Sequence, residues 1–173
     1  MQIELATLEG TRGEFNHVYN PGELSLNDER VCLAGATEVS GRITRSPEKI
    51  RVKGKVKGAV EVECDRCLQE LELPIDPEFD LEYVTEGEYN RLHAAELLEE
   101  DLNLSVFDGE VIDIDEIVRE QALLAVPSQV LCNENCKGLC EKCGANRNLV
   151  DCGCETKAMD PRWAELKKLV NGK

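Results

Sequence analysis

Histidine, aromatic residues and long apolar runs are all scarce in this chain of 173 residues, and each shortage removes a class of function. The two histidines, His17 and His93, adjoin no pair of cysteines. That leaves little for acid–base catalysis, or for a catalytic metal that keeps an open position among histidine and carboxylate ligands. Aromatic residues make up 4% of the chain and none stands among the basic residues, which argues against stacking of single-stranded bases. The longest apolar run, Ala122 to Val126, is far short of the roughly 20 residues a membrane-spanning helix needs. The opening Met1-Gln2-Ile3-Glu4 has neither a basic cluster nor an apolar stretch, so a cytoplasmic protein with reduced thiols is expected. No glycine-rich phosphate loop, G-x-S-x-G elbow or deaminase-type His-x-Glu signature occurs. With no catalytic constellation in view, the chain is expected not to be an enzyme.

What the chain has in excess is acid. It carries 35 acidic against 20 basic residues, a formal charge of −15, and bulk charge of that sign opposes binding to phosphate. The excess is local. Residues 76–120 hold 16 acids against Arg91 and Arg119. Residues 42–58 reverse the sign, with Arg42, Arg45, Lys49, Arg51, Lys53, Lys55 and Lys57 against Glu48. A basic partner for the acidic stretch and an anionic one for the basic stretch are therefore both open.

From Ile50 to Val62 apolar residues or glycine alternate with mostly charged ones, the period of a half-buried strand with one charged face. Gly54 and Gly58 allow a bend in so long a run. Weaker alternation predicts strands in residues 1–9, 31–43, 71–75 and 79–83, with residues 19–28 as loop and turn. A helix is expected over 113–126, capped by Asp113 with Glu116 three positions on and ended by Pro127. Its apolar stripe would comprise Ile114, Ile117, Val118, Gln121, Leu124 and Ala125. Ala94 to Leu102 suits a short helix or a loop, and a last helix is expected over about 161–170. The fold class is α+β. An antiparallel sheet, sandwich or partial barrel, would occupy residues 1–127 with the acidic segment and a helix. Residues 128–173 would form a small cysteine-rich, zinc-binding tail with a terminal helix.

Eight of the nine cysteines fall into pairs: Cys64 and Cys67, Cys132 and Cys136, Cys140 and Cys143, Cys152 and Cys154. A tight Cys-x-x-Cys turn sets two thiolates on one side of a loop, as a tetrahedral zinc site requires. A compact site would use Cys140, Cys143, Cys152 and Cys154. A long-range one would use Cys64, Cys67, Cys132 and Cys136, clipping the sheet to the base of the tail. The alternative is a single site drawn from the six tail cysteines, with Cys64 and Cys67 left as buried thiols or a redox dithiol. Four thiolates close the coordination shell, so one or two structural zinc ions are expected rather than catalytic ones. Cys32, the odd cysteine, reads as a buried thiol. Arg51, Lys53, Lys55 and Lys57 would project from one side of one strand, about 6.6–7 Å apart, as a candidate row of RNA phosphate contacts. Equally, they would form a solvated face, a guarded edge, or a surface that meets the acidic segment within the chain.

Three stretches together resemble the YceD family, named for accumulation of large-subunit (23S) ribosomal RNA. They are Val62-Glu-Cys-Asp-Arg-Cys-Leu68, Cys136-Lys-Gly-Leu-Cys-Glu-Lys-Cys-Gly-Ala-Asn-Arg-Asn148, and Cys152-Gly-Cys154 leading to Asp160-Pro161-Arg162 and Leu166-Lys-Lys-Leu169. Glu141 and Arg147 depart from the family's usual proline and leucine without touching a cysteine. The resemblance implies a non-enzymatic bacterial protein with chloroplast relatives, needed for 23S rRNA processing or accumulation. Its partner would be pre-ribosomal RNA, a large-subunit ribosomal protein, or both. The competing readings are a zinc-stabilised protein-binding module without RNA contact, and a thiol redox protein.

Overall fold

A computed structural model describes residues 1–7, 10–47, 49–92, 104–107 and 110–154. Within them lie β1 (Gln2–Glu4), β2 (Arg12–Tyr19), β3 (Val31–Leu33), β4 (Thr37–Arg45), β5 (Ile50–Glu63), β6 (Glu70–Ile75) and β7 (Glu78–Thr85). They continue with α1 (Glu86–Leu92), β8 (Leu104–Phe107), β9 (Val111–Asp113) and α2 (Ile114–Leu124). The class is the expected α+β. The short helix or loop expected over 94–102, the helix expected over 161–170, and His93 lie outside the described residues.

β5 organises the sheet. Its first half pairs with β4 and β7, its second half with β3 and β6, and β2 and β8 extend the order to β2-β4-β5-β7-β8. The pairings are antiparallel except β7 with β8. Val52, Val56 and Val60 are completely buried on one side of the strand, with Gly54 and Gly58 between them, while Arg51, Lys55, Lys57 and Glu61 face out. Burying each valine is worth roughly 1.5–3 kcal/mol, so the register that turns the valines inward wins over a one-residue slip.

A row of four residues crosses the strands on the buried side: Phe15, Gly41, Gly54 and Phe79. The glycines are required there by close approach. A Cβ on Gly54 would lie 2.5 Å from the Ser40 carbonyl oxygen and 2.7 Å from the ring of Phe79. The two phenyl rings fill the space that missing side chains leave.

α2 covers the sheet with Ile114, Ile117, Val118 and Ala122, all buried. Its cap is the expected one: the Asp113 carboxylate accepts from the backbone N–H of Asp115 at 2.9 Å and Glu116 at 3.3 Å. Leu124 departs from the expected stripe. It lies in the last turn at the margin of the buried face and is 77% exposed, and Ala122 takes its place. Tyr19, buried at the core's edge, donates to Asp115 at 2.6 Å. Burial and that carboxylate push its phenol well above the usual range.

Cys32 is exposed, contrary to the buried thiol expected of it. On β3 the inward positions belong to its half-buried neighbours Val31 and Leu33, which turns Cys32 outward beside Glu61.

Candidate metal centres

The eight paired cysteines form two groups of four, Cys64 with Cys67, Cys132 and Cys136, and Cys140 with Cys143, Cys152 and Cys154. Within each group the sulfurs all lie within 4.8 Å of one another. No cysteine is in a disulfide.

The inner group sits where β5 ends. Cys64 is the first residue after the strand, and the turn Cys64-Asp65-Arg66-Cys67 closes with a 2.9 Å bond from the Leu68 N–H to the Cys64 carbonyl. Leu68 takes a left-handed φ of +57°. The tail reaches this turn through several bonds. Asp65 receives the Val130 N–H at 2.6 Å and the Arg30 guanidinium at 3.0 Å, and the Asp65 N–H bonds the Val130 carbonyl at 2.8 Å. Arg66 donates to the Cys136 carbonyl at 2.9 Å, and its own carbonyl accepts from Leu139 at 3.0 Å. Gly138, at φ +70°, passes so close that a Cβ would meet the Arg66 carbonyl at 2.9 Å. Cys64, Cys67 and Cys136 are buried, against Leu71, Leu131 and Leu139.

The outer group is built locally. The Gly144 N–H bonds the Cys140 carbonyl at 2.8 Å, and Gly144 repeats, at φ +73°, the left-handed turn Leu68 makes after the inner Cys-x-x-Cys. Here glycine relieves the strain that Leu68 bears. Cys143 and Cys154 are exposed. Asn148 stands between the groups: it accepts from the Lys137 N–H at 2.8 Å and donates to the Cys136 sulfur at 3.3 Å. Asn148 and Asp65 were part of the sequence motifs, but no spacing rule marks a side chain that supports a ligand.

The donor set fits zinc. Four thiolates about 2.3 Å from a tetrahedral zinc stand about 3.75 Å apart. Cys64 and Cys136 are 3.8 Å apart, Cys67 and Cys132 3.6 Å. Burial opposes ionisation of Cys64, but N–H groups of Arg66, Cys132 and Cys67 outweigh it and bring the thiol down to about 6. N–H groups of Cys143 and Lys142 do the same for Cys140, also to about 6. The neighbouring thiols, Cys136 foremost, push Cys132 up to about 12, and Cys143 and Cys152 push Cys154 up to about 12. Each group therefore ionises in part and resists ionising in full, a conflict that a divalent cation at its centre removes.

The basic row of β5 is divided. Arg51 is held by both carboxylate oxygens of Asp80 at 2.7 Å, Lys53 bonds Asp80 at 2.7 Å, and Lys49 bonds Glu82 at 2.7 Å. The reading in which the basic strand meets the acidic segment is realised by β7 for this half of the row. Lys55 and Lys57 are exposed, with no such partner among the described residues.

Residues 52–170, which include most of β5 and all eight paired cysteines, match the family described as "Large ribosomal RNA subunit accumulation protein YceD". The chain belongs to the YceD family. YlbN of Bacillus subtilis is 24% identical over 91% of this chain and 87% of its own length. A Mycobacterium tuberculosis protein is 26% identical over 98% of this chain and 81% of its own. The chloroplastic YCED homolog 1 of Arabidopsis thaliana, which bears the rRNA-accumulation name, is 29% identical over 76% of this chain. The chain spans about half of that plant protein, 48%. No solved structure matches. YceD membership implies a role in accumulation of large-subunit ribosomal RNA. Among the described residues no helix is long and apolar enough to cross a membrane.

Proposed function

We propose that this YceD-family chain is a non-enzymatic, cytoplasmic ribosome-biogenesis factor supporting 23S rRNA accumulation or processing. Two structural zinc ions would hold its shape, and its partner would be pre-ribosomal RNA, a basic large-subunit ribosomal protein, or both. The observation that carries this is the family match over residues 52–170, which spans most of the charged strand and both cysteine groups. A tetrathiolate shell supplies structure and leaves no position for a water nucleophile, which favours a binding role over catalysis. The thiol redox alternative needs a dithiol free to cycle. Cys64 and Cys67 are instead grouped with two further thiols.

A basic protein partner has its own support. Beyond the basic half of β5, Glu61 faces Glu72 and Glu63 faces Glu70 across the β5–β6 ladder. Like charges directly opposite are destabilising, and a cationic surface laid over them would relieve the repulsion. Depleting the protein in cells and measuring large- against small-subunit rRNA tests the role. The large-subunit species should fall and recover on complementation, and an unchanged ratio would overturn the proposal.

A further inference from the structure

The charges on the outer face of the sheet are not equivalent once the register is known. β4 sets Arg42 opposite Lys53, Ser40 opposite Lys55 and Glu38 opposite Lys57, and β2 sets Glu14 opposite Arg42 and Arg12 opposite Thr44. Arg51 and Lys53 are engaged by Asp80. Arg12, Arg42, Lys55 and Lys57 are exposed and have no carboxylate partner among the described residues. The free cations thus run diagonally from β2 across β4 to β5, not down β5 alone. Arg12 and Arg42 line a concavity of about 680 Å³ together with Lys53 and Glu14, and a second of about 350 Å³ shares Arg42, Lys53 and Glu14 and reaches Lys55 and Glu78. Arg42 and Lys53 face each other, and of the two only Lys53 is held by a carboxylate among the described residues, that of Asp80.

We propose that this diagonal, Arg12, Arg42, Lys55 and Lys57, binds the phosphate backbone of double-stranded RNA. The inference rests on the ribosome-assembly reading and assigns it a surface. Lys55 and Lys57 lie about 6.6–7 Å apart along the strand and neighbouring strands about 4.8 Å apart, spacings on the scale of successive phosphates. Phe15 and Tyr19, the aromatics of the three strands that carry these cations, are buried on the opposite side of the sheet. A face with cations and no rings contacts backbone and does not stack bases, which favours a duplex over a single strand. Glu14, Glu38 and Glu78 border the cations and limit how many phosphates can be engaged. The salt dependence should therefore be shallow, with a slope of roughly −3 in log K against log salt.

The test uses the full chain with zinc bound, an RNA hairpin and a single strand of the same composition, followed by fluorescence anisotropy at several salt concentrations. The hairpin should bind more tightly. Arg42→Glu with Lys55→Glu should weaken it at least about tenfold and flatten the salt slope by about two. Both positions are exposed, and an unchanged zinc content and circular dichroism spectrum would confirm that the variant folds. Glu14→Gln, which removes an acid facing Arg42, should tighten binding. Hairpin binding unchanged in the double variant, or an acidic peptide competing as well as the hairpin does, would overturn the surface. Either result leaves the role in rRNA accumulation to stand or fall on depletion, which measures rRNA and not binding.

Discussion

The two cysteine groups share one chemistry and differ in what they hold together. The inner group joins Cys64, at the end of β5, to Cys136, 72 residues later, and is mostly buried. The outer group closes within residues 140–154 and leaves Cys143 and Cys154 exposed. Closing a long loop removes more freedom from the unfolded chain than closing a short one, and burial protects the bonds from exchange. With zinc bound, the inner group would take part in the sheet's folding, whereas the outer group would order its own loop. Repeating one motif does not repeat its role, because the role depends on which segments the ligands come from.

Breaking the inner group should have the largest effect. Cys64→Ser places a hydroxyl at a completely buried position and removes a ligand. It should destabilise the whole domain by about 4 kcal/mol or more in urea unfolding, and bound zinc should fall from two to one per chain. Cys154→Ser should cost one zinc as well, yet leave the sheet's unfolding midpoint nearly in place. Equal losses of stability from the two substitutions would remove the distinction.

Strain introduced in the sheet should travel to one group only. Gly54→Val sets a branched side chain against the Ser40 carbonyl and the Phe79 ring. It should cost about 3 kcal/mol. Because β5 leads directly into Cys64, the inner zinc should then leave at lower denaturant, while the outer zinc keeps its chelator sensitivity. Titrating released zinc alongside unfolding separates the two.

Much of this contrast was legible in the sequence, because cysteine pairs and period-two alternation are local signals. The pairs named both groups, and the valines of β5 declared which face is buried. What escaped depends on distant partners or on weak patterns. β2 was missed because its inward row, Gly13, Phe15, His17 and Tyr19, carries only two large apolar residues. β8 and β9 have four and three residues, too few to show a period. Register sets Glu82 opposite Arg51 and Asp80 opposite Lys53, and Asp80 clamps Arg51 from that diagonal position, which no single strand reveals. For the same reason the sequence shows only a row along β5, since Arg12 and Arg42 come from other strands.

Removing metal from the intact protein should sharpen the contrast without altering a ligand. A strong chelator with a zinc-sensitive dye should give two phases, the fast one from the exposed outer group and the slow one from the inner group. Cys154→Ser should abolish the fast phase and leave the slow one. A single phase in the parent protein, or loss of the slow phase in the variant, would show that burial does not separate the two groups.

The smallest expected effect tests how the inner group is fastened. Asp65 is held below the usual carboxylate range by the Val130 N–H and then by Arg30. Its folded pKa is lowered, so its contribution is present in full above the unfolded value of about 4 and is lost as pH falls through the folded value. Asp65→Asn keeps an acceptor for Val130 but loses the charge that Arg30 and the N–H favour. At pH 6 to 7 the variant should be modestly less stable than the parent in urea, and its inner zinc should dissociate faster. The stability gap should close as pH falls below about 4, where the parent's own carboxylate begins to protonate. The outer zinc should not respond, since Asp65 bonds Val130 and Arg30 beside the inner turn. A gap that widened with acid would mean the carboxylate is not what fastens the tail to β5, leaving the buried thiols and the Arg66 bonds to do so.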